Sequence, residues 1–77
     1  MKELISFLVK NIIGSEDFEL EEVSDGGVTN FIIHTKAEFM GLVIGKGGKT
    51  IKTIRNLVKV RATLEKTSVN VSVAEAS

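Results

Sequence analysis

The residues whose types and spacing could do chemistry sit together in the segment Ile44-Gly45-Lys46-Gly47-Gly48-Lys49. Glycine carries no Cβ, so glycines here permit a tight turn and leave backbone N–H groups uncovered. A helix starting near Gly48 adds unpaired N–H groups and the positive end of its dipole, a natural seat for phosphate. Lys46 within the loop and Lys49 just after it supply mobile positive charge. The chemistry on offer is the holding of an anion rather than the making or breaking of a bond. As a bare pattern Gly-x-x-Gly is weak. With glycine at about 7% of residues, chance places one in about a third of chains this long.

Two nucleotide motifs share part of this segment and fail on spacing. Gly48-Lys49-Thr50 resembles the end of a P-loop, but the glycine that motif requires further upstream falls on Val43. A P-loop also follows a strand, whereas the residues before this loop read as helix. A dinucleotide fingerprint starting at Gly45 needs a glycine where Thr50 stands. Other catalytic chemistry has little to stand on. His34 is the only histidine, and no acid and nucleophile fall in evident register with it. There is no cysteine, and the acids between Glu16 and Glu22 lack the spacing of a metal loop. The expectation is a non-enzyme without cofactor, metal or small-molecule substrate.

The elements around the loop give it weight. Leu4, Ile5, Leu8, Val9 and Ile12 recur as one face of a helix over residues 2–13, and Gly14-Ser15 ends it. Phe18-Glu19-Leu20-Glu21 alternates as a half-buried strand does, and Asp25-Gly26-Gly27 supplies a turn. Residues 28–35, centred on Phe31-Ile32-Ile33, read as the return strand of a hairpin. A short helical turn is expected at Ala37-Glu38-Phe39-Met40, then the glycine loop, then a long amphipathic helix over 49–64. Residues 68–73, Ser-Val-Asn-Val-Ser-Val, form a period-two strand with the valines on one face. The order α-β-β-α-α-β predicts one small α+β domain spanning 1–77, a three-stranded sheet with its helices on one face.

Net charge is zero, yet it is divided. Residues 1–35 carry a balance of −5 and residues 36–66 a balance of +6. A polyanion responds to the field within about a Debye length, roughly 8–10 Å, so a segregated basic segment counts for more than the total. The plain alternative is two ordinary solvated faces. Nothing at the N-terminus has the form of a signal peptide, and no apolar run is long enough to span a bilayer. A cytoplasmic protein that does not engage membranes is expected.

The long helix holds a second feature. Ile51, Ile54, Val58 and Ala62 fall on one stripe, expected to pack on the sheet, while Leu57, Val60 and Leu64 form another. That second stripe either packs against the N-terminal helix or serves as a dimer or partner surface. Each of the four phenylalanines (Phe7, Phe18, Phe31, Phe39) reads as core. With no Tyr or Trp, recognition by aromatic stacking is disfavoured.

The stretch Met40-Gly41-Leu42-Val43-Ile44-Gly45-Lys46-Gly47-Gly48, followed by Ile51 and Ile54-Arg55, resembles the core of the KH module, in which a GxxG loop between two helices clamps a nucleic-acid backbone. The element order resembles the type II variant, and the whole chain looks like the small bacterial single-KH-domain RNA-binding proteins of the KhpA type. The resemblance implies single-stranded RNA as ligand, bound with little sequence preference, and a role as RNA chaperone or post-transcriptional regulator. It also implies a homodimer, or a heterodimer with a larger KH-domain protein of the Jag type, in a system affecting cell shape and envelope homeostasis. On this reading Gly45, Lys46, Gly47, Gly48 and Lys49 hold phosphate, Ile44 flanks the groove, and Lys52 and Arg55 extend the phosphate track. Leu42 departs from the pattern, since many relatives carry a basic residue there. Leu42, the zero net charge and the second stripe keep a protein-interaction adaptor as the competing function.

Overall fold

The structure is a computed structural model and describes residues 1–76. Helix α1 (Lys2–Ile13) buries Ile5 and Val9 completely and carries Glu3 in its first turn and Lys10 in its last, both favourable to the helix dipole. A hairpin follows, β1 (Phe18–Asp25) and β2 (Val28–Thr35), joined by the two-residue turn Gly26-Gly27. Helix α2 (Ala37–Ile44), a single 3₁₀ turn (Lys46–Gly48) and helix α3 (Lys49–Leu64) lead to β3 (Ser68–Glu75).

The sheet order is β1-β2-β3. β1 runs antiparallel to β2, from Phe18 opposite Thr35 to Asp25 opposite Val28. β3 runs parallel to β2, from Ser68 beside Val28 to Glu75 beside Thr35. A parallel pair cannot be closed by a tight turn, and the crossover consists of α2, the glycine loop and α3. One face of the sheet offers Phe31, Ile33 and Val71 to the helices, which answer with Ile5, Val9, Val43, Ile51, Ile54 and Val58. The opposite face, bearing Val23, Asn30, Ile32, His34, Asn70 and Ser72 in register, has no helix over it among the described residues. It is tied by Asn70 Nδ2 donating to Asn30 Oδ1 at 3.2 Å and by a 2.8 Å contact of His34 Nε2 with Glu21 Oε1.

The α+β order agrees with the sequence reading, with four corrections. The helical turn expected at 37–40 continues to Ile44, because burying Val43 completely (about 1.5–3 kcal/mol) outweighs Gly41 inside the helix (about 1 kcal/mol). β1 continues past Glu21 to Asp25, since the hairpin register keeps supplying partners after the apolar alternation has ended. β3 likewise reaches Glu75 rather than stopping at Val73. Phe7 is not core: it is 63% exposed, on the side of α1 away from Ile5 and Val9.

Candidate nucleic-acid interface

The loop takes its shape from three glycines of positive φ. Gly45 adopts φ 78°, ψ 166°, a region open essentially to glycine alone. A Cβ there would also lie 2.7 Å from the Cβ of Thr50 and 2.8 Å from its backbone nitrogen, so the chain passes hard against the first turn of α3. Gly47 (φ 65°) and Gly48 (φ 78°) require glycine for a different reason. A Cβ on either would meet nothing within 4 Å, so only backbone conformation excludes other residues and the space above them is open.

This folding decides which N–H groups are free. Gly45 N–H donates to the Gly41 carbonyl at 2.8 Å, closing α2, and Gly48 N–H donates to the Gly45 carbonyl at 3.0 Å. Lys49 N–H donates to the Lys46 carbonyl. Among the described residues, the N–H groups of Lys46 and Gly47 have no acceptor. Lys46 is right-handed and Gly47 left-handed, the alternation that turns successive N–H groups into one concavity and makes an anion-binding nest. Directly beyond, α3 starts at an N-cap, Gly48, that offers no side-chain hydrogen bond, and the positive end of the helix dipole lies beside the loop.

From the loop, α3 carries a cationic flank toward the free edge of β3. At roughly 100° per residue, Lys52, Arg55 and Lys59 lie to one side of the buried stripe Ile51, Ile54, Val58 and Ala62, while Lys49 lies opposite the stripe at the start of the helix. A groove runs between this flank and β3, with Arg55, Lys59 and Thr63 along one wall and Val69, Asn70 and Val71 along the other. Arg55 Nε donates to the Val71 carbonyl at 3.1 Å, tying the helix to the strand across the groove.

The ion pairs sharpen the electrostatics. Lys10 pairs with Glu16 at 3.1 Å, Lys36 with Asp17 at 2.6 Å and Arg61 with Glu65 at 2.8 Å. The hydrogen bond from Lys36 to Asp17, reinforced by that carboxylate's charge, holds the Lys36 pKa above its ordinary value. Two bases of the +6 segment, Lys36 and Arg61, are thus matched by acids. Among the described residues, Lys46, Lys49, Lys52, Arg55, Lys59 and Lys66 form no ion pair. Within residues 36–66, the unmatched bases lie in the loop, α3 and the turn after it.

The structure places Gly45, Lys46, Gly47, Gly48 and Lys49 together in the turn between α2 and α3, with Lys52 and Arg55 further along α3. Ile44, just before the turn, is 37% exposed, whereas Ile51, just after it, belongs to the core at 7%. Sequence reasoning missed Lys59, Asn56 and Thr63 on α3 and Asn70 and Val71 on β3, all of which line the groove. Lys59 was within reach, since it lies seven residues past Lys52 on the same side of the helix. The β3 residues were not, because placing them depends on a parallel register that no local pattern encodes.

The second stripe is also resolved in part. Leu57, Val60 and Leu64 are 46%, 63% and 76% exposed, so they do not pack beneath α1. The core of α1 is filled from the other side of α3, by Ile51, Ile54 and Val58. Leu42, on α2, is also half exposed. Among the described residues, no group of His, Asp or Glu side chains could hold a metal ion, and no helix is long and apolar enough to cross a membrane.

Comparison with known proteins agrees with this architecture. The family model described as the KhpA/KhpB KH domain matches residues 2–73. The chain is 38% identical over 76 residues to the RNA-binding protein KhpA of Clostridium perfringens, covering 95% of this chain and 99% of that one. It is 32% identical over 76 residues to the RNA-binding protein KhpA of Chlamydia trachomatis, covering 97% of each chain. The helix–glycine-loop–helix crossover, the α-β-β-α-α-β order and these end-to-end matches lead to one conclusion: the chain belongs to the KhpA/KhpB family of KH-domain proteins.

Proposed function

We propose that this protein binds single-stranded RNA, gripping its sugar-phosphate backbone with the Gly45–Gly48 loop and the first turn of α3. The observation that carries the reading is the pair of unpartnered N–H groups on Lys46 and Gly47, set at the start of α3 among unmatched lysines. Phosphate satisfies those donors without reference to base identity, so most of the affinity is independent of sequence. Ile44, Lys46 and Lys49 border the grip, and Lys52 extends it along α3. Low sequence preference suits an RNA chaperone or post-transcriptional regulator in the cytoplasm, the chain acting throughout as one KH unit without enzymatic activity. Fluorescence anisotropy with a single-stranded RNA, at two salt concentrations, tests this. A folded Lys46→Asp/Gly47→Asp variant should lose affinity and show a shallower salt dependence, because fewer phosphates are neutralised. Equal binding by variant and wild type would move the contact off the loop.

A second reading rests on the exposure of Leu57, Val60 and Leu64. Three large apolar side chains open to water along one helix suit an interface. The occupant would be a second copy of this chain or a larger Jag-type KH-domain protein, and the module would then also serve as an assembly adaptor. Leu57→Asp should remain folded by circular dichroism while the sedimentation mass falls to that of a monomer. A wild type that is already monomeric, and stays so with a larger KH-domain protein added, would remove this reading.

A further inference from the structure

The acidic half of the chain takes no part in the glycine loop, and its densest stretch is β1, where Glu19, Glu21, Glu22 and Asp25 stand. This strand lies at the edge of the sheet, with β2 as its only strand neighbour. Gly26 and Gly27 both have positive φ, 58° and 83°, the tight hairpin turn that closes on a hydrogen-bonded pair, here Asp25 and Val28. Bonded and non-bonded pairs alternate along an antiparallel ladder, so Glu19, Glu21 and Val23 bond to β2. Leu20, Glu22 and Ser24 therefore direct their N–H and C=O groups outward, where no strand meets them among the described residues. The two sides of this edge differ. Leu20 and Glu22 stand opposite the buried Ile33 and Phe31, on the helix side. There a groove runs between α1 and β1, bordered by Phe18, Leu20 and Phe7, the last 63% exposed. The bases at this groove stand on α1: Lys2, and Lys10, which is paired with Glu16. On the other side lie Glu19 and Glu21. Glu19, Glu22 and Asp25 have no ion pair among the described residues, and Glu21 meets only His34.

We propose that the free edge of β1 docks an extended segment of a partner protein, one that alternates apolar and basic residues and joins the sheet as a further strand. The backbone of that segment would satisfy the outward groups of Leu20, Glu22 and Ser24. Its side chains would then alternate between the two sides. A residue paired with Leu20 falls over the groove and covers Phe7, so it is apolar. Residues paired with Glu19 and Glu21 fall beside those carboxylates, so they are lysine or arginine. The charge pattern rejects the other occupants. Two copies of β1 paired edge to edge would set acid against acid, which is destabilising. The other edge strand of the chain, β3, has no basic residue to offer. RNA is repelled by the same carboxylates.

The experiment measures fluorescence anisotropy with three labelled peptides matched to the eight residues of β1. One alternates valine and lysine, one holds the same residues in two blocks, and one alternates valine and glutamate. Wild type should bind the valine–lysine peptide about tenfold more tightly than either of the others. Phe7→Gln should weaken that binding about tenfold by removing the apolar seat. Glu22→Pro removes an outward N–H while leaving the bonds to β2, and it should abolish binding. Glu22→Gln keeps the N–H and should stay within about fivefold of wild type. Glu19→Lys/Glu21→Lys reverses the charge beside the edge and should prefer the valine–glutamate peptide, which decides the matter if Glu22→Pro fails to fold by circular dichroism. Equal binding of the alternating and block peptides by wild type would overturn the proposal, since charge alone would then suffice. So would undiminished binding by Phe7→Gln or by folded Glu22→Pro. A lower sedimentation mass for Glu22→Pro would give the edge to a second copy, and an altered affinity of that variant for oligouridine would give it to RNA; either result overturns the peptide.

Discussion

Helix α3 turns two unlike surfaces to solvent on either side of its buried stripe. One flank, Lys52, Arg55 and Lys59, has no acidic partner among the described residues, and its Arg55 and Lys59 line the groove beside β3. The other, Leu57, Val60 and Leu64, is apolar and uncovered. Burial against the sheet explains neither, because Ile51, Ile54, Val58 and Ala62 already do that work. The contrast teaches that one helix can separate two tasks by angle alone. Unpaired cations are tolerable where water or a polyanion solvates them. Exposed leucine and valine carry a hydrophobic cost of about 25 cal/mol per Å² until something covers them. The first flank suits a ligand that comes and goes, and the second suits a partner that stays.

The largest effect should come from the stripe the two flanks share. Ile54 is 1% exposed at the centre of the core, and Ile54→Ala should destabilise the fold by about 2–5 kcal/mol through lost burial and a residual cavity. Chemical denaturation would read this directly. RNA binding and self-association should fail together above the lowered midpoint, since neither flank survives without the stripe. A variant that lost one property and kept the other near full stability would mean that the helix does not set their relative placement.

Next in size is a change confined to the loop. Gly45→Ala meets both an unfavourable backbone conformation and Thr50 at under 3 Å, so the loop must rearrange. Gly47→Ala meets only the conformational penalty, because its surroundings are empty. RNA affinity should therefore fall for both, more for Gly45→Ala, while the sedimentation mass stays that of the wild type. Equal losses in the two variants would show that contact with Thr50 contributes nothing to the grip.

Much of this was legible in the residue order, and the exceptions have physical causes. The buried stripe of α3 was readable because a helix facing a sheet imposes a 3.6-residue period on its apolar positions, and Ile51, Ile54, Val58 and Ala62 keep it. The loop was readable because glycine is nearly alone in tolerating the conformations found at 45, 47 and 48. Hidden from local pattern was everything that depends on how distant segments meet. The tether of Arg55 to Val71 joins residues 16 apart through a parallel crossover, and the freedom of Leu57 from α1 depends on how α1 is oriented. Phe7 misled for a related reason. Aromatic character favours burial on average, but a helix offers only one face to a small core.

A smaller effect separates Lys59 from the apolar flank one step around the helix. Lys59 lines the groove without an ion pair, so Lys59→Gln should flatten the salt dependence of RNA binding by about one unit of slope and leave stability within about 0.5 kcal/mol. Val60→Gln, at the adjacent position on the other flank, should leave that slope untouched. Slopes flattened alike by both substitutions would erase the distinction between the flanks.

The smallest expected effect lies where α3 ends and β3 begins. Lys66 sits at φ 56°, left-handed, in the turn closed by Lys66 N–H to the Thr63 carbonyl at 3.2 Å and Thr67 N–H to the Ala62 carbonyl at 2.9 Å. Helices commonly end on a left-handed residue, but glycine is the usual occupant because a Cβ there crowds the neighbouring carbonyl, at roughly 1–2 kcal/mol. Lys66→Gly should relieve that strain and regain somewhat less, about 0.5–1 kcal/mol, because glycine also gives the unfolded chain more freedom. Denaturant midpoints would show the gain. The same variant removes one unmatched cation beside Thr67 and Ser68, which line the end of the groove. If the basic surface extends that far, stability should rise while RNA affinity falls slightly, with a shallower salt slope. A rise in stability with no change in slope would place the end of the cationic flank at Lys59, inside the helix.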